Sequence, residues 1–140
     1  MTAVLQVQDL TCRAPAPGGA FNAVDAVSFE VHAGESLVLL GESGSGKSLT
    51  ALSVMRLLPD GVHITAGSVR LGGEQLFDLP EAAMRRLRGR RIGMIFQEPM
   101  TALNPVLTAG EQIAEALRAH GLGRAAARRG ATELIAQMGI

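Results

Sequence analysis

The chain has no tryptophan and no tyrosine, a single cysteine, and one lysine against twelve arginines. With only Cys12, no internal disulfide is possible, which fits a reducing compartment and a structural thiol rather than a catalytic one. No histidine cluster or cysteine pair has metal-ligand spacing, which argues against a zinc site. The longest apolar runs, residues 36–41 and 49–59, fall well short of the ~20 residues that span a bilayer. The N-terminal residues lack the basic start and long apolar stretch of a signal peptide. Formal net charge is zero, so nothing points to general nucleic-acid binding. Together these absences predict a soluble, cytoplasmic chain, one still able to dock on a membrane protein.

A length of 140 residues suits one domain or a large part of one, and 47% hydrophobic residues supply an ample core. The charge is split unevenly. Residues 1–80 carry four basic and eight acidic side chains; residues 81–140 carry nine and five. Arg85, Arg86, Arg88, Arg90 and Arg91 form the densest basic run. It reads as a solvated helix face and loop, with contact to a partner or an acidic lipid surface as the alternative.

Val4, Val7 and Leu10 open a strand, and the Pro/Gly-rich residues 14–20 read as a hairpin tip. Val27, Phe29 and Val31 alternate with polar neighbours, as in a half-buried strand, and residues 32–35 turn. Residues 37–40 are continuously apolar and predict a strand buried on both faces. A helix is expected over residues 49–58, stopped by Pro59. Residues 68–71 and 75–77 predict a hairpin around Gly72 and Gly73. Pro80 marks the first position of a short helix over 80–87. Residues 92–96 read as another apolar strand and 97–105 as a polar loop. A helix over 110–120 carries Ile113, Ala114 and Leu117 on one face, and a last helix covers 125–138.

Between the apolar run at 37–40 and the next helix stands Gly41-Glu42-Ser43-Gly44-Ser45-Gly46-Lys47-Ser48, which fits Gly-x4-Gly-Lys-Ser. A strand before it and a helix after it are the setting in which this pattern cradles phosphate. Gly41, Gly44 and Gly46 permit backbone angles and close approach that side chains would block. The loop N–H groups then form an anion nest, and the helix start, with Leu49, adds its unpaired N–H groups and positive dipole end. Lys47 is expected to reach the β- and γ-phosphates of ATP, and Ser48 to place its hydroxyl on Mg²⁺. A compact ammonium fits among phosphate oxygens where a guanidinium is too broad.

About forty residues with antiparallel character precede this loop, a layout that resembles the nucleotide-binding domain of ABC transporters. Arg91-Ile-Gly-Met-Ile-Phe-Gln97 resembles that family's strand ending in the Q-loop glutamine. Gln97-Glu-Pro-Met-Thr-Ala-Leu-Asn-Pro105 is similar to the form found in ATP-binding subunits of the oligopeptide, dipeptide and nickel importer group, as are residues 23–29 and 41–48. The resemblance covers essentially the whole chain. It implies an α/β P-loop NTPase fold of ABC type, with an N-terminal antiparallel β subdomain, the start of a helical subdomain and an incomplete core sheet. Residues 1–98 would be the β subdomain and P-loop core, and 99–140 the start of the helical subdomain. Gln97 would sense Mg²⁺ or the attacking water. The implied partners are transmembrane permease subunits, facing residues 98–105 and the helix from Gly110, and a second ATP-binding subunit. The implied location is the inner face of the cell membrane.

Four family elements have no counterpart here: the LSGGQ signature, the Walker B strand with its Asp-Glu, the D-loop and the switch histidine. Leu71-Gly-Gly-Glu-Gln75 looks faintly like a signature, but it precedes the Q-loop. The expectation is therefore a partial domain with exposed apolar segments at 37–40 and 92–96, poorly stable alone and without ATP turnover of its own. The family usually stacks adenine on an aromatic of the early strands; by motif register that position falls near Ala14, with Phe21 the nearest aromatic. The competing readings are a catalytically inactive fragment or ATP-binding module, a non-transport ABC ATPase and, more distantly, a small-molecule kinase.

Overall fold

The structure, a computed structural model, describes residues 3–98 and 102–140. Pro99, Met100 and Thr101, part of the loop expected at 97–105, lie outside the described residues. Two compact units divide the chain, residues 1–85 and 86–140.

The first unit is built on a four-stranded antiparallel sheet of order β2-β1-β3-β4. Its strands are β1 (Ala3–Ala16), β2 (Gly19–His32), β3 (His63–Leu71) and β4 (Glu74–Gln75). The hairpin expected at 14–20 forms with a tighter tip, since pairing runs to Ala16 opposite Gly19. The β3–β4 turn is Gly72-Gly73 with φ of 57° and 86°; two positive φ values define the turn that matches strand twist in a two-residue hairpin. β3 begins at His63, five residues before the run that the sequence marks as strand.

Alternation along these strands puts Val7, Leu10 and Cys12 of β1, Val24 of β2, and Val69 and Leu71 of β3 in the core. Val7 faces Phe29 on one side and Val69 on the other; Cys12 faces Val24 and Ile64. Register shifts interrupt β1 near Asp9 and Thr11, where Asp9 takes φ 48° and Ala26, on β2, takes φ 47°. Their N–H groups bond side chains: Asp9 N–H donates to Ser28 Oγ (2.8 Å), and Ala26 N–H to Thr11 Oγ1 (3.1 Å).

Helix α1 (Lys47–Met55) starts two residues before the expected 49 and stops three before the expected 58. Leu57 N–H reaches back to the Leu52 carbonyl (2.9 Å) and Arg56 N–H to that of Ser53 (3.0 Å), with Arg56 left-handed at φ 53°. This pattern closes helices, usually with glycine in the left-handed position. The Arg56 guanidinium donates to the carbonyls of Leu79 (2.6 Å) and Leu76 (3.2 Å), which ties the helix end to the segment after β4. Helix α2 (Glu81–Leu87) follows. Pro80 precedes it rather than opening it, and its carbonyl accepts from the Ala83 and Met84 N–H groups.

Two expected strands do not form. Residues 37–40 have no ladder partner among the described residues, and instead of double-sided burial Val38 is 71% and Leu40 89% exposed. Residues 92–96 contribute only an isolated bridge between Arg88 and Ile92, and Ile95 is 91% exposed. An apolar run becomes a buried strand only if neighbours supply hydrogen bonds and cover, and no described strand does so here. The incomplete core sheet expected from the sequence is the result.

In the second unit, α3 (Ala109–Ala119) and α4 (Arg124–Gln137) pack around Ala114, Ala127 and Ala131, with Ile113 and Leu117 against them. The apolar face read from the sequence is thus the one buried. Thr108 caps α3 in a reciprocal box with Glu111. A groove of about 1050 Å³ runs along the two helices, with Arg118, Arg124, Arg128 and Arg129 at its border.

Candidate phosphate-binding site

The site is built at the start of α1. Gly46 is the N-cap residue, with φ 88°. A side chain there would run into the Ala23 carbonyl oxygen and lie 3.5 Å from Val24 Cγ2. Glycine therefore lets the helix start seat directly on β2. The Gly46 carbonyl accepts from Thr50 N–H (2.8 Å) and Thr50 Oγ1 (3.0 Å), which fixes the first turn. Beneath it, Ser53 Oγ donates to the Leu49 carbonyl (2.6 Å) and lies 3.1 Å from the buried Cys12 Sγ. The lone thiol is thus a packing element between β1 and α1.

The loop ahead of the helix is closed on itself. Ser45 N–H donates to the Glu42 carbonyl (3.2 Å), around Ser43 and Gly44, whose φ is 81°. The Lys47 ammonium donates to the carbonyls of Gly41 (2.8 Å) and Glu42 (2.7 Å) and to Ser45 Oγ (3.2 Å). Two main-chain acceptors therefore hold the charge over the loop. Ser48 is exposed on the first turn, and Leu49 is half-buried. The first turn of α1 carries no acidic side chain, and its N-cap makes no side-chain hydrogen bond. A helix start of this kind adds its positive dipole end to the ammonium, which suits an anion.

The structure thus gathers Gly41, Glu42, Ser43, Gly44, Ser45, Gly46, Lys47, Ser48 and Leu49 in one loop and helix start. Gln97 belongs to the second unit, where it is exposed at a bend. Ala14 and Phe21 are direct cross-strand partners near the β1–β2 tip, and Phe21 is 53% exposed. Sequence reasoning missed the supporting residues Ala23, Thr50 and Ser53. Ala23 acts through a contact distant in sequence and leaves no local signal, and neither does the Ser53 contact with Cys12. Thr50 leaves one, a hydroxyl four residues after the N-cap glycine, in reach of its carbonyl.

Among the described residues no helix is long and apolar enough to cross a membrane. The chain is 46% identical, over its whole length, to the oligopeptide transport ATP-binding protein OppD of Mycobacterium tuberculosis, of which it spans 23%. It is 54% identical over 125 residues to a putative peptide import ATP-binding protein of Brucella abortus; the match takes in 84% of this chain and 37% of that protein. A second putative peptide import ATP-binding protein of Brucella abortus is 48% identical over 138 residues, which is 98% of this chain and 42% of that protein. The chain thus spans less than half the length of these relatives.

Two solved structures share the fold. One is a dimeric bacterial ABC transporter cassette, with a TM-score of 0.75 at 25% identity. The other is a dimeric ATP-binding cassette in a post-hydrolysis state bound to ADP and Pi, with a TM-score of 0.74 at 23% identity. Each match covers 92% of this chain and 54% of the cassette. The sequence pattern of the ABC transporter family matches residues 24–140. The loop, the fold and this match agree: the chain belongs to the ABC transporter family.

Proposed function

We propose that the chain is the phosphate-binding part of the ATP-binding subunit of a peptide importer. The observation that carries this reading is the Lys47 ammonium held by the Gly41 and Glu42 carbonyls over a glycine-rich loop at a helix start. Gly41 to Leu49 would bind the phosphates of ATP through main-chain N–H groups, with Lys47 on the β- and γ-phosphates. The donor chemistry fits Mg²⁺ as well, since Ser48 offers an exposed hydroxyl on the first turn. Ser48 and Gln97 are the residues assigned to hold the ion, which would neutralise phosphate charge when bound. Gln97 has the further assigned role of sensing the attacking water.

Peptides as cargo are supported by the names of the relatives at 46–54% identity. In this reading residues 1–98 form the β subdomain and P-loop core, and 99–140 begin the helical subdomain. The partners are permease subunits and a second ATP-binding subunit, at the inner face of the cell membrane. The sequence from 1 to 140 carries no apolar run ending in Asp-Glu, so the chain by itself binds ATP without turnover. A non-transport ABC ATPase shares the loop, but residues 97–105 favour the importer group.

Calorimetric titration of the chain with MgATP tests this directly. Saturable binding is expected, strongly weakened in Lys47→Ala, with phosphate release at background in both. Absence of binding overturns the phosphate site, and Lys47-dependent release overturns the claim that this chain does not hydrolyse alone.

A further inference from the structure

An ammonium has three N–H donors, and all three of Lys47's are engaged within the loop. The partners are not equivalent. The Gly41 and Glu42 carbonyls are main-chain groups at 2.8 and 2.7 Å. Ser45 Oγ is the end of an exposed side chain at 3.2 Å. That hydroxyl lies against Gly41, 2.5 Å from where a Cβ on Gly41 would stand.

We propose that the Ser45 hydroxyl is a place-holder on the Lys47 ammonium, the partner that an incoming phosphate oxygen displaces. This rests on the phosphate-site reading above. The two carbonyls keep the ammonium in place during the exchange, so the lysine need not move. An anionic oxygen makes a stronger bond to the ammonium than a neutral hydroxyl does. The released hydroxyl, being exposed, turns to water at little cost. Ser45 therefore competes with the ligand for one N–H of Lys47, and its removal strengthens binding of any ligand that reaches that N–H.

The test is calorimetric titration of pyrophosphate and of ATP, with Mg²⁺, against the whole 140-residue chain. Ser45→Ala is expected to bind both about 2- to 10-fold tighter than the parent chain, the range set by one net hydrogen bond. Ser45→Thr retains the hydroxyl and is expected to keep the parent affinity. Placed in Lys47→Ala, the Ser45→Ala change is expected to give no gain, because the competition exists only through the ammonium. Unchanged or weaker binding by Ser45→Ala, or the same gain without Lys47, overturns the proposal and leaves the phosphate site standing. If the parent chain binds neither pyrophosphate nor ATP, the phosphate site fails and this proposal with it.

Discussion

Phe21 stands directly opposite Ala14 in the β1–β2 ladder, so their side chains share one face of the hairpin. Ala14 lies near the register at which the resemblance places a base-stacking aromatic, and it cannot stack. Phe21 offers a half-exposed ring from the adjacent strand, two residues along β2 from the Ala23 carbonyl that seats Gly46. If that ring stacks on adenine, Phe21→Ala weakens ATP binding about 5-fold or more, in line with base–aromatic stacking, and leaves pyrophosphate binding unchanged. Calorimetry with the two ligands separates base from phosphate contributions. Equal ATP affinities would remove Phe21 from the site.

Gly46 is the point where loop, helix and sheet meet. In Gly46→Ala a Cβ is forced both into left-handed backbone and against the Ala23 carbonyl oxygen. Strain of this kind costs about 1–3 kcal/mol. A lowered urea midpoint is expected, together with loss of pyrophosphate binding, because the helix start can no longer sit on β2. Gly44→Ala is the comparison. It has the same positive φ but nothing within 4 Å of the added carbon, so its destabilisation should be smaller.

Arg56 is left-handed where glycine is the usual residue, and its guanidinium holds the Leu76 and Leu79 carbonyls. The two features predict an order among variants. Arg56→Ala keeps the strained backbone and loses the bonds, at a cost of about 1–3 kcal/mol. Arg56→Gly loses the same bonds but relieves the backbone strain, and should be the less destabilised of the two. Chemical denaturation of the three proteins checks the ranking: Arg56→Gly less stable than Arg56→Ala would show that the left-handed backbone carries no strain to relieve, and Arg56→Ala as stable as the parent would show that the guanidinium contributes nothing.

The candidate phosphate loop is legible because its signal is local: residues 41–48 carry the pattern, and the helix that the pattern requires starts within it. The antiparallel hairpins were legible for the same reason, through alternation in β2 and the Gly72-Gly73 turn. Residues 37–40 and 92–96 show the limit. Their composition describes the strand they would make with neighbours, and pairing depends on chain segments that the local sequence does not report. The end of α1 was misplaced for a related reason. Pro59 is a visible stop, whereas the helix closes earlier at left-handed Arg56, whose guanidinium is anchored on carbonyls twenty and twenty-three residues away.

The cap of α3 ties stability to acid. Thr108 N–H donates to Glu111 Oε2 (2.9 Å), as does Thr108 Oγ1 (2.8 Å), and Glu111 N–H donates back to Thr108 Oγ1 (3.2 Å). The Thr108 backbone bond, then its hydroxyl bond, and more weakly the Arg128 charge hold the Glu111 carboxyl below its ordinary value; desolvation opposes them. A carboxylate with a depressed folded-state pKa stabilises the fold above its unfolded pKa, about 4.3, and that contribution fades as pH falls through the lower folded value. The α3–α4 unit should therefore lose stability on acidification below about pH 4.3. Glu111→Gln keeps an acceptor but cannot titrate. It should be less stable than the parent at neutral pH and converge on it in acid, while Thr108→Ala weakens the cap and flattens the same acid limb. Thermal melts followed by helical circular dichroism between pH 3 and 7 read out both effects. A difference between parent and Glu111→Gln that stays constant across this range would show that the carboxylate's charge does not contribute to the cap.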